Sequence, residues 1–215
     1  MGAWLTEDQK ATLTAALKRG ASDASGALSR WLGREVALEV SEVEEVELEE
    51  VAGQLGPEDS LVACCAMDLS GKLTGQLLMV FEDRSGMALT DMLLGRPQGT
   101  STDWGELEQS AAKETANIVG CAYLNSLAAH LDLDGSASPP SAAGGAWVPS
   151  PPAFRHEFAA SLLEFALMDQ ATEADRLLFI MSRFGSEADG LRWLLLFVPS
   201  GEALRTLSES LPPRP

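Results

Sequence analysis

From Leu5 to Leu32 apolar side chains recur at intervals of three and four residues, with Leu13, Leu17, Ala21, Ala24, Leu28 and Trp31 on one stripe and Gly33 behind them as a stop. This predicts a long amphipathic helix, weakened by Gly20 and Gly26. The period then changes to two: Val36, Leu38 and Val40 alternate with small or polar residues, as in a half-buried strand. From Glu42 to Glu50 acidic residues crowd between Val43, Val46 and Leu48, which reads as a solvated strand or sheet edge. Ser60 to Met67 and Gly75 to Phe81 are apolar strands joined by a turn around Ser70 and Gly71, and a helix follows from about Ser85 to Leu94.

The second half repeats this order. A long helix is predicted from Asp103 to Leu131, strands from Asp175 to Phe184 and Leu191 to Val198, and a helix from about Gly201 to Leu211. Letters match as well as pattern, since Ser85-Gly86-Met87-Ala88-Leu89 corresponds to Ser200-Gly201-Glu202-Ala203-Leu204. The expected fold class is therefore α+β: one pseudo-symmetric domain over residues 1–215, built by internal duplication. Its half-repeats run over about 5–95 and 103–211, and each would contribute to one shared sheet. A stretch rich in Pro, Gly, Ala and Ser over about 134–153 reads as an inserted loop or lid, followed by a helical pattern from His156 to Ala171.

Composition narrows the functions open to such a fold. Nearly half of the chain is apolar, enough for a substantial core. Acidic residues outnumber basic ones 32 to 15, and a net charge of -17 disfavours nucleic acid and anionic lipid as partners. Runs such as Leu77 to Phe81 and Leu191 to Val198 are strand-length and too short to span a bilayer. With no secretory pattern at the N-terminus, the expected location is the cytoplasm. The three cysteines, two of them adjacent at Cys64 and Cys65, lack zinc-ligand spacing and read as buried thiols. His130 and His156 read as ordinary surface residues, and Trp31, Trp104, Trp147 and Trp193 as packing residues. No metal site is expected on this chain.

Candidate chemistry concentrates on the second long helix. Ser110, Glu114 and Asn117 are spaced by four and three residues, which places them within about 60° of one another on a helical wheel. Ala111, Ala112, Thr115, Ile118, Val119 and Ala122 fall on the other side, so the polar stripe should face outward. Ala116 and Gly120 are small enough to let another protein approach the helix. The stripe holds no His or activated Ser, and covalent catalysis by it is poorly supported. An Asn carboxamide can hold a water in line with a phosphorus atom, and a Glu beside it can pair with a lysine of another protein.

These residues resemble a known signature. The CheC/CheX/FliY chemotaxis phosphatases carry Asp or Ser, three residues, Glu, two residues, Asn, then twenty-two residues and Pro; here Ser110, Glu114 and Asn117 are followed at that distance by Pro140. The segment Ala122-Tyr123-Leu124-Asn125-Ser126-Leu127-Ala128, the Leu94-Gly95 helix end and the duplicated layout also resemble the family. The resemblance implies a phosphatase for the aspartyl phosphate of a CheY-like response regulator. Asn117 would orient the hydrolytic water, Glu114 would contact the receiver's lysine, and Ser110 and Pro140 would support the site. Mg2+ would belong to the partner receiver, and no cofactor to this chain. Aligning Leu28 with Leu127 puts Ala11, Ala15 and Lys18 where the second helix has Ser110, Glu114 and Asn117, so a first site of the kind such proteins often carry is degenerate.

Two other readings stand beside this one. The same helix could serve a non-catalytic interaction module that binds a receiver, a CheD-like deamidase or a flagellar switch component. A self-sufficient hydrolase using Glu114 as a base lacks a second catalytic group at a useful spacing. Monomer and homodimer are both compatible with the sequence.

Overall fold

The computed structural model describes residues 5–33, 35, 38–47, 57, 59–71, 74–130, 147–162, 176–184 and 193–210. In chain order the elements are α1 (Glu7–Leu32), β1 (Leu38–Glu47), β2 (Leu61–Gly71), β3 (Gly75–Glu82), α2 (Asp83–Leu93), α3 (Glu106–His130), β4 (Trp147–Pro149), β5 (Ala153–Phe158), β6 (Arg176–Phe184), β7 (Trp193–Pro199) and α4 (Gly201–Ser210). They form a mixed helix and strand domain on one open antiparallel sheet. Strand β2 pairs with β3 on one side and with β4 and β5 on the other, β3 pairs with β7, β6 lies beside β7, and β1 pairs with β6. The β3–β7 ladder, from Gly75 opposite Pro199 to Phe81 opposite Trp193, joins the halves of the chain in the shared sheet that their patterns require.

Both faces of the central strands are covered, which explains why they read as unbroken apolar runs. Ala63, Cys65, Met67, Leu77, Met79, Phe81, Leu195 and Phe197 join the buried stripes of α1 and α3 in one core, with the Phe81 and Trp193 rings 5.1 Å apart. The intervening Val62, Cys64, Leu78 and Val80 are buried as well. Burial pushes both thiols up, that of Cys65 to about 12, so they are protonated packing groups at neutral pH.

Helix α1 starts at a capping box. Thr6 Oγ1 accepts from the Gln9 backbone N–H at 3.3 Å, and Gln9 Oε1 accepts from the Thr6 N–H at 2.9 Å. Leu13, Ala16, Leu17, Ala21, Ala24 and Leu28 form its buried stripe, as the periodicity predicts. Gly20, expected only to weaken the helix, has a positive reason to be there. A Cβ on it would lie 3.0 Å from Tyr123 Cα and 3.1 Å from Ser126 Cβ, so α1 and α3 cross with their backbones nearly in contact. Four residues earlier, the Ala16 carbonyl accepts from Ser126 Oγ at 2.8 Å. Advancing from Ala16 to Gly20 moves the contact from Ser126 back toward Ala122, which makes the pair antiparallel.

Two sequence expectations change, while the strand expected after Val40 is present. The helical pattern from His156 begins as strand: Phe154, His156 and Phe158 of β5 stand opposite Cys65, Ala63 and Leu61 of β2, and helix starts only at residue 159. Short apolar segments satisfy either period, and the open edge of β2 decides this one. The Pro/Gly/Ser-rich stretch is not wholly loop, because β4 pairs with β2 and Ser150 clamps Asp68, its N–H donating to the Asp68 carbonyl at 2.8 Å and its Oγ accepting from the Asp68 N–H at 3.0 Å. Pro151 and Pro152 then fall between β4 and β5 on an edge, where a missing N–H costs no ladder bond. The acidic stretch after Val40 continues β1 to Glu47 through a register shift between Val40 and Val43.

The tight crossing at Gly20 should be sensitive to volume. Gly20→Leu is expected to destabilise the protein by about 3 kcal/mol through overpacking against Tyr123, read as a lower urea midpoint with an unchanged m-value.

Candidate functional site

Helix α3 presents the polar stripe. Ser110 and Glu114 are exposed, Asn117 is half-buried, and Ala112, Thr115, Ala116 and Val119 are buried on the opposite side. The outward orientation inferred from spacing is therefore present. Ala116 and Gly120 do something different from what their size suggested: Ala116 is buried in the core and Gly120 admits the sheet, so neither is open to a visiting protein. A Cβ on Gly120 would come within 2.4 Å of Met67 Cε and 3.0 Å of Leu77 Cδ2, so α3 is seated directly on β2 and β3.

A clasp at its N-terminus fixes where α3 begins. Asp91, at the end of α2 and fully buried, accepts from the Thr100 N–H at 2.8 Å, the Ser101 N–H at 2.8 Å and Ser101 Oγ at 2.6 Å. Arg96 donates to Asp91's backbone carbonyl at 2.8 Å and pairs through its guanidinium with buried Glu108 on the first turn of α3 at 2.6 Å. Burial pushes the Asp91 carboxyl up, but the Ser101 and Thr100 donors outweigh it and hold the acid below its ordinary value; Glu108 is likewise lowered, by backbone donation and by Arg96. Close by, Asp83 Oδ1 accepts from Trp104 Nε1 at 2.7 Å and meets His156 Nε2 at 2.8 Å, with the Trp104 ring 5.0 Å from that of Phe154. His156 is thus tied into a polar cluster and is not the plain surface residue its sequence context suggested.

Within the stripe, Glu114 and Ser110 make no side-chain hydrogen bond or ion pair among the described residues. Asn117 Oδ1 receives one contact, from Cys121 Sγ at 3.6 Å. Burial and the Glu114 charge push the Cys121 thiol up. Leu107, one turn before Ser110, is 58% exposed. On α1 the positions aligned with the stripe, Ala11, Ala15 and Lys18, are exposed too, but they offer no carboxylate or amide. Pro140 lies outside the described residues. Among the described residues no three His, Cys, Asp or Glu side chains come together in a way that could hold a metal. No helix among them is long and apolar enough to cross a membrane. An open groove of ≈ 600 Å³ runs along α2 and the following loop past Asp83, Arg84, Met87 and Ser101, and no stripe residue lines it.

The site is therefore a face, not a pocket. It offers a carboxylate without a side-chain partner among the described residues and an amide, which can position groups brought by a second protein but supply no nucleophile of their own.

Helices laid on an open antiparallel sheet are shared with solved structures of chemotaxis and flagellar proteins. FliY of Thermotoga maritima superposes with a TM-score of 0.69 at 17% identity, covering 96% of this chain and 97% of that one. FliM in its complex with SpeE from H. pylori gives 0.63 at 11% identity over the same shares, and CheX of Desulfovibrio desulfuricans gives 0.50 at 10% identity over 86% and 99%. In sequence, the CheY-P phosphatase CheC of Bacillus subtilis is 27% identical over 126 residues, which is 58% of this chain and 60% of that protein. CheC1 of Halobacterium salinarum is 20% identical over 114 residues, 53% of this chain and 57% of that one. The matches span less than two thirds of the length of these curated relatives. No model of a known protein family matches the chain. The chain thus has an α+β fold shared with FliY, FliM and CheX. In sequence it is similar to the two CheC proteins, and in fold to FliY and CheX.

The clasp that sets the stripe should titrate. A carboxylate with a lowered folded pKa contributes stability that is complete above its unfolded value and is lost as pH falls through the folded one. Stability is therefore expected to decline as pH drops below the ordinary values of 3.8 for Asp91 and 4.5 for Glu108. Asp91→Ala, which removes the acceptor of three part-buried donors, is expected to cost about 2 kcal/mol at neutral pH and to flatten that decline in urea titrations.

Proposed function

We propose that this chain is a phosphatase for the aspartyl phosphate of a CheY-like receiver, and that it works by completing the receiver's active site. The observation that carries this reading is a carboxylate and an amide on the exposed face of a rigidly seated helix, with Glu114 left unpartnered among the described residues. An exposed carboxylate and an amide on one helix face are available to groups brought by a second protein. The match to CheC of B. subtilis, named as a CheY-P phosphatase, supports the same reading.

In the proposed reaction water attacks phosphorus in line, the bond to the aspartyl oxygen breaks, and inorganic phosphate and a free carboxylate are released. Asn117 orients the water from its carboxamide, and Glu114 pairs with a lysine of the receiver to set the register of docking. Ser110 and Pro140 support the site. The Mg2+ that offsets charge on the phosphoryl oxygens belongs to the receiver. Positioning of this kind is worth about a hundredfold in rate, or about 3 kcal/mol.

A second reading keeps the docking and drops the chemistry: an interaction module for a receiver or a flagellar switch protein. Its support is the likeness to FliM, solved in complexes with SpeE and FliG, together with the blank equivalent face on α1. A solved complex of CheX with CheY, BeF3 and Mg2+ from Borrelia burgdorferi, similar at a TM-score of 0.50, agrees with receiver docking under either reading.

Loss of phosphate from candidate receivers, followed with and without the purified chain, separates the two. The phosphatase reading expects acceleration that Asn117→Ala reduces about a hundredfold in kcat and that Glu114→Ala weakens mainly through KM. Binding without acceleration by the unmodified chain would leave the interaction module. Chelation of Mg2+ is expected to stop turnover while leaving this chain's melting temperature unchanged.

A further inference from the structure

Among the described residues the stripe's amide is met by Cys121, four residues on in α3 and half-buried, whose Sγ lies 3.6 Å from Asn117 Oδ1. A terminal carboxamide turns easily between two orientations that exchange oxygen and nitrogen. Their consequences differ. With the oxygen free to accept, a water can give it a hydrogen and keep a lone pair for phosphorus. With the amide reversed, its N–H groups bind the very lone pair that must attack. A protonated thiol distinguishes the two, since it donates to the oxygen but is a weak acceptor for N–H.

We propose that Cys121 is a positioning residue for Asn117. Its S–H holds Oδ1 in one orientation, leaving the oxygen's second lone pair for water and both N–H groups for phosphoryl oxygens. Burial, with the Glu114 charge nearby, keeps the thiol protonated, and a thiolate could not make this bond. Glu114 thus has a second consequence within its own stripe, sustaining the donor that orients the amide. This proposal rests on the phosphatase reading for its effect on rate, but the orientation of the amide can be tested apart from it.

The test uses the full chain with Cys121→Ala, Cys121→Ser and Asn117→Ala. In dephosphorylation of a receiver, Cys121→Ala is expected to lower kcat by about five- to tenfold with KM within about twofold, and Cys121→Ser to restore most of it through its hydroxyl donor. In an Asn117→Ala background, Cys121→Ala should have no further effect, because the group it positions is gone. Wild-type kcat in Cys121→Ala, equal losses in the Ala and Ser variants, or an undiminished loss without Asn117 would each overturn the proposal. The second arm is NMR of the Asn117 side-chain amide in the free protein, where Cys121→Ala should shift its signals and lower its order parameter, and Cys121→Ser should not. An unmoved Asn117 signal overturns the proposal whatever the kinetics. A wild-type chain with no phosphatase activity overturns the functional reading instead, and the NMR arm then decides the Cys121–Asn117 contact alone.

Discussion

The rotational phase of α3 is the constraint on which the candidate site depends. A helix has no intrinsic up or down, and what turns Glu114 outward is the opposite side's lack of volume at Gly120, where Met67 and Leu77 come up against bare backbone. Gly20 applies the same device at the crossing with α1. Two nearly touching backbones and one helix seated on a sheet leave α3 little freedom to roll, since packed interiors deform only at considerable cost. The Asp91 and Glu108 clasp adds a stop at the N-terminus, so that the helix can neither roll nor slide.

This division of labour explains what the sequence reveals and what it conceals. Regular periods show elements, and the long helices and central strands were legible because Leu13, Leu17 and Leu28, or Leu77 to Phe81, bury themselves wherever the rest of the chain lies. The outward face of α3 was legible for the same reason. What a glycine is for was not: Gly20 reads as a helix-weakening residue and Gly120 as an opening for another protein until the neighbour that needs the space is known. The clasp was also hidden: Asp91, Arg96, Ser101 and Glu108 converge from a helix end, a loop and a helix start, and no spacing rule links them. Phe154, His156 and Phe158 show a further limit, for a segment this short takes its period from the edge on offer.

The contrast between the two long helices bears on how many sites the chain can operate. Both expose the positions that the sequence alignment pairs and both lie in the same antiparallel pair, yet only α3 carries a carboxylate and an amide at those positions. Helix α1 is therefore free to be what its buried stripe makes it, the support against which α3 is braced. Packing alone accounts for the buried stripe of α1, and nothing in its exposed Ala11, Ala15 and Lys18 adds a further demand.

Electrostatics adds a condition to the proposed docking. A chain of net charge -17 meeting a phosphorylated partner gains nothing from long-range attraction to the phosphoryl group, and beyond about 8 Å salt screens most of what either surface exerts. In the proposed complex recognition would then come from short-range pairing, with one exposed carboxylate against one lysine setting the register. Such a site discriminates by geometry more than by charge, and its precision is inherited from the helix that carries it. The close packing at Gly20 and Gly120, remote from any chemistry, is in this sense part of the proposed catalytic apparatus: it converts a flexible polar stripe into a positioned one.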